Sequence, residues 1–267
     1  MSGTSFATWS LVEDPVHYAV KMASALNCSV PNNMMKNHQE LVKCLREKPL
    51  SDLHSVELRA PSFLTAMGPS RDGVLIPSDF GTSSYHIHRK RSAAPSYRIM
   101  VGVSDTETEE LFSEVQLEEG ISPHEQKRLL RTLVRNTYMH HLNEIFYTVE
   151  NEYSPVGPLA SPQAVRRRVA EALGDKLFLS PALETASWCN ESGYAVHLYL
   201  HSALVRYLSS SSLSQETETE PSGGILPLVF GLPFAPEIST FDFESSPGQA
   251  VVSQAVITYW ANFAYSG

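Results

Sequence analysis

Residues 97–107 read YRIMVGVSDTE. The run from 97 to 103 has the length and apolar content of a buried strand, and it ends in a polar loop carrying Asp105 and Glu107. A charged residue just past the carboxyl end of a buried strand is where open α/β sheets place their chemistry, although most such carboxylates are simply solvated loop residues. A second run of the same kind, YAVHLYLHSALV at 194–205, is rich in Tyr, Val and Leu and reads as an interior strand over 194–200. Much of the remaining sequence is helical in period. Strands alternating with helices along the whole length predict an α/β protein with a mainly parallel sheet flanked by helices.

The helical segments are legible from their spacing. EDPVHYAVKMASALN (13–27) opens with an acidic turn and Pro15, then sets Val16, Val20, Met22 or Ala23, and Leu26 on one face. HQELVKCLREK (38–48) follows as a second short helix. EQKRLLRTLVRNTYMHHLNEIFYTVENEY (125–153) carries the strongest signal, with Leu129, Leu133, Tyr138, Leu142, Ile145, Phe146 and Val149 on one stripe, and it is long enough for two helices with a bend. Ser161-Pro162 and Ser180-Pro181 each predict a fresh start, a capping serine followed by proline at the first helical position, with helices over 163–173 and 182–189. The last run, AVVSQAVITYWANFAYSG, gathers Val252, Val256, Tyr259, Trp260 and Phe263 on one helical face. Between these segments, MGPSRDGVLIPSDF (67–80) reads as turn, short strand and turn. Residues 209–223 form an acidic, Ser-rich stretch with the composition of a flexible loop, and LPLVFGLPF (226–234) reads as a structural strand.

Composition excludes several classes. A chain of 267 residues, 42% hydrophobic, can build a sizeable core, and a formal charge of −9 argues against a dedicated nucleic-acid binder. The one dense basic run, Arg166-Arg167-Arg168, reads as the solvated side of a helix. No segment approaches the ~20 consecutive apolar residues of a membrane span. The opening MSGTSFATWSLVEDP has neither the basic start nor the apolar stretch of a signal peptide. Cys28, Cys44 and Cys189 show no C-x-x-C spacing, so neither a structural zinc nor a redox motif is expected. Cys28 and Cys44 lie close enough to pair. A bridge there would staple two helices around a loop of roughly 15 residues and contribute about 3 kcal/mol, the alternative being two free buried thiols. Two sequons, Asn27-Cys28-Ser29 and Asn190-Glu191-Ser192, permit N-glycosylation on a secretory route. The middle residue of the first is the cysteine that would pair, which makes Asn190, at a helix end before Gly193, the better candidate.

Several of these stretches together resemble the carboxylesterase type B, or cholinesterase-like, family of α/β-hydrolase folds. MSGTSFATWSLVEDP is similar to the family segment beyond the nucleophile elbow, LVKCLREKP to its disulfide-bearing helix, and MGPSRDGVLIP to the strand and turn before the acid strand. VGVSDTE resembles the strand and loop carrying the catalytic acid, while LPLVFGLPF and ITYWANFAYSG resemble a late strand and the closing helix. Six such stretches in the family's order imply the C-terminal part of an α/β-hydrolase fold over residues 1–267. Within the family, LLRTLVRNTYMHHLNEIFYTVENEY is most similar to the non-enzymatic adhesion branch, the neuroligins and gliotactin-like proteins. SPVGPLASP replaces the continuation expected after that helix.

Ester hydrolysis on this fold needs a serine at a sharp strand-to-helix turn, a histidine, an acid that orients it, and oxyanion donors. No G-x-S-x-G occurs in the sequence. By resemblance the acid position is Glu107. The histidine position, counted eight residues before Phe230, is Ser222, and a serine hydroxyl cannot act as the general base that imidazole supplies. His197 and His201 lie in or beside a predicted strand and read as structural, and His140-His141, adjacent on a predicted helix, face different directions and do not form a joint metal site. No cofactor is implied. The resemblance implies a catalytically inactive domain on the extracellular side of the plasma membrane that binds a cell-surface protein, with a neurexin-like receptor as one such partner, and that pairs with a second copy through its long helices. The competing reading is the downstream part of a working carboxylesterase whose nucleophile lies upstream. A third is a partial domain that exposes an apolar sheet edge and does not fold alone.

Overall fold

The computed structural model describes residues 6–32, 34–80, 97–104, 107–155, 160–201, 225–235 and 247–267. The loop expected at 209–223, Ser222 within it, and Asp105 lie outside these residues. Two strands are present among the described residues, β1 (Arg98–Ser104) and β2 (Ala195–His201). They pair in parallel, Arg98 opposite Ala195 through to Ser104 opposite His201. Their connection runs through most of the helices, as a parallel pairing requires.

Alternation along the strands assigns a helix to each face. On one face Val101 and Val103 are buried against Ala182, with Phe178 and Leu179 beside them. Complete burial of side chains of this size stabilises by about 1.5–3 kcal/mol each. On the other face the Tyr199 ring lies over Gly102, so closely that a Cβ there would meet it at 2.4 Å. Tyr199 meets Trp260 edge-on at 4.8 Å, and His197 meets Phe263 at 5.6 Å. Both partners sit on the terminal helix. Among the described residues β2 is less covered than the interior strand expected: Leu198 and Leu200, opposite Val101 and Val103, are 54% and 65% exposed.

Helices α1 (Pro15–Ala25), α2 (Met34–Arg46) and α3 (Leu50–Ser55) precede the sheet. Asp14 caps α1 by accepting from the His17 N–H, and Ala23 and Leu26 are buried as the spacing predicts, whereas Val16 is exposed. The strand expected inside 67–80 does not form. One Asp72 carboxylate oxygen accepts the N–H groups of Val74, Leu75 and Ile76 at 2.9–3.0 Å, curling the backbone into a loop that leaves Val74 and Leu75 exposed.

After β1 come a single 3-10 turn, then α4 (Glu114–Glu119), α5 (Pro123–Thr137) and α6 (Leu142–Glu152). Ser122 and Glu125 close a reciprocal capping box at the start of α5. The long helical pattern is two helices, broken where His141 takes a left-handed φ of 54°. Of the expected stripe, Leu133 and Phe146 are buried and Leu129, Tyr138, Ile145 and Val149 half-buried, and Leu130 and Val134, outside it, join the packing against α7 (Pro162–Gly174). Leu130, Val134 and Phe146 bury with Ala172, and Leu133 joins Val165, Val169, Leu173 and Leu177. Leu142 falls outside this packing and is exposed.

Ser180-Pro181 does not start a fresh helix. α7 runs through a π-helical turn, Asp175–Leu179, into α8 (Ser180–Glu191), with Ser180 itself in helical conformation. Pro181 lacks the N–H that would meet the Leu177 carbonyl in an α-helical ladder, and the widened turn makes room for its ring. The Trp9 indole N–H supplies the missing donor to that carbonyl at 2.9 Å. The arginine run is also less solvated than its composition predicts. Arg167 is exposed, but Arg166 lies over the Phe112 ring at 5.9 Å and Arg168 over the Tyr153 ring at 5.5 Å.

LPLVFGLPF is not a strand. It forms a short helix, α9 (Leu226–Val229), and a 3-10 turn, Leu232–Phe234, joined at Gly231 with φ 71°. Pro227 and Pro233 explain this: each removes a ladder donor and fixes the φ of a first helical turn. The chain closes with α10 (Pro247–Ser266). Val256 is buried on the expected face, and Ser253, also buried, donates its hydroxyl to the Leu228 carbonyl at 2.7 Å, while Tyr259 is 67% exposed.

Candidate functional site at the carboxyl end of the sheet

Parallel pairing brings the ends of β1 and β2 side by side, with Ser104 opposite His201. Glu107 lies three residues past the last residue of β1. Its carboxylate turns back to accept the Ser104 backbone N–H at 2.7 Å, which ties the loop to the strand it leaves. Burial pushes the Glu107 carboxyl above the usual carboxylate range, and the Ser104 N–H opposes part of that rise. Thr108, next in sequence, is 2% exposed. Glu107 is therefore a partly desolvated carboxylate held just past the end of a buried strand, the placement in which an open α/β sheet carries chemistry.

The sequence-nominated histidines are distributed differently. His197 lies within β2 with its ring against Phe263, a packing role. His201 closes β2 and is buried at the same sheet end as Glu107. His140 and His141 are exposed, and they sit at the bend between α5 and α6 rather than on a helix. Among the described residues no group of three His, Cys, Asp or Glu side chains could hold a metal ion. The sequence contains ten histidines, and His201 is the last of them. The sequence after β2 therefore contains no imidazole.

Away from the sheet end, Cys28 and Cys44 are joined in a disulfide, with Cα atoms 5.9 Å apart, that packs with Ala23 and Leu41. Cys189 is free and buried, and burial pushes its thiol up, so it stays protonated and unreactive. Of the sequon asparagines, Asn190 is exposed in the last turn of α8, and Asn27 is exposed at φ 55° just after α1. An open apolar groove lies between Phe234 and the Val251, Ala255 and Tyr259 side of α10. Sequence periodicity misses it because Tyr259 was assigned to the packed face. No helix among the described residues is long and apolar enough to cross a membrane.

Comparison with known proteins agrees with this architecture. The model of the Carboxylesterase family matches residues 1–267. Neuroligin-1 of Caenorhabditis elegans is 27% identical over 285 residues, covering 100% of this chain and 35% of that protein. Neuroligin-3 of Homo sapiens is 25% identical over 270 residues and Neuroligin-2 of Homo sapiens 24% over 269, each covering 100% of this chain and 30% of its own length. The chain thus spans about a third of the length of these relatives. A parallel strand pair with helices on both faces, an acid at the sheet's carboxyl end and a match along its entire length lead to one assignment: the chain belongs to the carboxylesterase family, whose fold is the α/β-hydrolase fold.

Proposed function

We propose that residues 1–267 form the downstream part of a cholinesterase-like domain that recognises a protein partner at the cell surface, as a neuroligin-type adhesion molecule, and does not hydrolyse esters. The observation that carries this reading is the absence of histidine after His201. Glu107 keeps an acid at the right end of the sheet, but an acid orients a base and cannot replace one. With Ser222 at the position that resembles the family's imidazole, no base of suitable pKa stands there to take a proton when a nucleophile attacks. What remains is a frame that holds surfaces in fixed relation, which serves recognition without chemistry. A neurexin-like receptor is the partner class this reading names, and a second copy docking through the helices is the association it names.

The test is an ester-hydrolysis assay on the full-length protein beside its Ser222→His variant, together with binding of cells displaying the protein to neurexin-coated surfaces. The reading expects no turnover by the natural protein and specific adhesion. Substantial natural turnover abolished by a serine-directed inhibitor would overturn it in favour of a working carboxylesterase with a relocated base.

A further inference from the structure

The two sequons differ in one structural respect that bears on modification. Asn190 projects from the last turn of α8, exposed, where the helix unwinds: the Ser192 N–H donates to the Trp188 carbonyl, the Gly193 N–H to the Asn190 carbonyl, and Gly193 follows at φ 90°. Nothing covalent restrains that turn. Asn27-Cys28-Ser29 is instead folded against its own helix, with the Cys28 N–H on the Ala23 carbonyl at 2.8 Å, and its middle residue is buried in the bridge to Cys44. A structural disulfide such as Cys28–Cys44 persists in oxidising compartments, among them the lumen in which asparagine-linked sugars are added.

We propose that Asn190 carries an N-linked glycan and that closure of the Cys28–Cys44 bridge keeps Asn27 bare. The inference rests on the cell-surface reading above, because it needs passage through the secretory lumen. In the transfer step, Asn190 Nδ2 bonds to the anomeric carbon of a lipid-diphosphate-linked oligosaccharide. The carbon–oxygen bond to the diphosphate breaks, the lipid diphosphate leaves, and the amide gives up one proton. The acceptor sequon must bend into the transferase, which a free helix end does readily and a bridged turn does not. Asn190 precedes β2, so the sugar stands at the amino end of the sheet, opposite Glu107. It leaves the carboxyl end clear.

The experiment is site-resolved glycopeptide mapping of the full-length protein made in animal cells, with N-glycanase mobility shifts for the natural chain and for Asn190→Gln, Ser192→Ala and Cys44→Ala. The natural protein is expected to lose the Asn190 glycan in both sequon variants and to show Asn27 unmodified. Cys44→Ala gains a glycan at Asn27, and pulse labelling in dithiothreitol produces the same gain in the natural chain, which keeps the test independent of whether the variant folds. Delivery is scored separately by protease accessibility on intact cells. Surface-accessible protein with bare Asn190, or Asn27 occupied equally with and without the bridge, overturns the inference and leaves the cell-surface reading standing. Protein that never enters the lumen overturns both.

Discussion

Glu107 reaches back only three residues to cap its own strand, so its carboxylate is held in place before any partner arrives. Its folded-state pKa is raised by burial. The protonated form is thus favoured by folding: the associated stability is fully present below the ordinary carboxylate range and is lost as pH rises through the raised folded value. Glu107→Gln keeps an oxygen to accept the Ser104 N–H and carries no charge at any pH. The variant is expected to gain stability relative to the natural chain as pH rises from acid to neutral, read from denaturant midpoints at each pH. A stability difference that stays constant across that range would show that desolvation of Glu107 is not felt. Strand position pointed to Asp105 and Glu107 alike, and the family resemblance of VGVSDTE singled out Glu107. Its hydrogen bond back to Ser104 was not legible, because a loop carboxylate solvated by water and one folded onto a strand have the same sequence.

At the scale of elements, the junction of α7 and α8 shows where local sequence signals mislead. Ser180-Pro181 has the chemistry of a helix start, yet the chain passes through it helically, because a π turn absorbs the proline ring and a tryptophan 168 residues away replaces the lost donor. Trp9→Phe keeps an aromatic ring beside Phe178 but removes the indole N–H together with some of the ring volume packed on the core. It is expected to cost about 1 kcal/mol for the hydrogen bond plus a packing loss that is the same whatever residue stands at 181. Adding Pro181→Ala supplies a backbone N–H at the junction, so the cost of Trp9→Phe should shrink in that background, a coupling measured by a double-mutant cycle. Equal costs in both backgrounds would separate Trp9 from the proline. The two prolines of LPLVFGLPF acted in the opposite way, as plain helix-start signals in a run whose apolar character suggested a strand. By contrast the existence of α5, α6 and α7 was legible, since an apolar stripe and, at α7, a capping serine leave a periodic trace, whereas the Ser122 cap of α5, the position of the break at His141 and the burial of Leu130 and Val134 were not.

For the molecule as a whole, α/β layering was legible because each strand is a short apolar run bounded by polar turns, and parallel order follows from the helices between them. Which strand face would be covered was not, since Leu198 and Leu200 have the same sequence character as Val101 and Val103. In the parallel register they sit beside those valines on one face, where α8 covers the valines and leaves the leucines in water. β2 also has an edge with no strand partner among the described residues. An apolar face and an open edge on the same strand form a template for pairing with another chain. The 267 residues expressed alone are therefore expected to self-associate, giving high-mass species by size-exclusion chromatography. Replacing Leu198 and Leu200 with lysine should shift the distribution toward monomer, because charges on an edge strand oppose further pairing and neither side chain has core packing to lose. A natural chain that elutes as a monodisperse monomer and unfolds cooperatively on heating would show that this edge is protected. The leucines would then belong to a surface the chain keeps exposed for a partner rather than one it must cover to stay in solution.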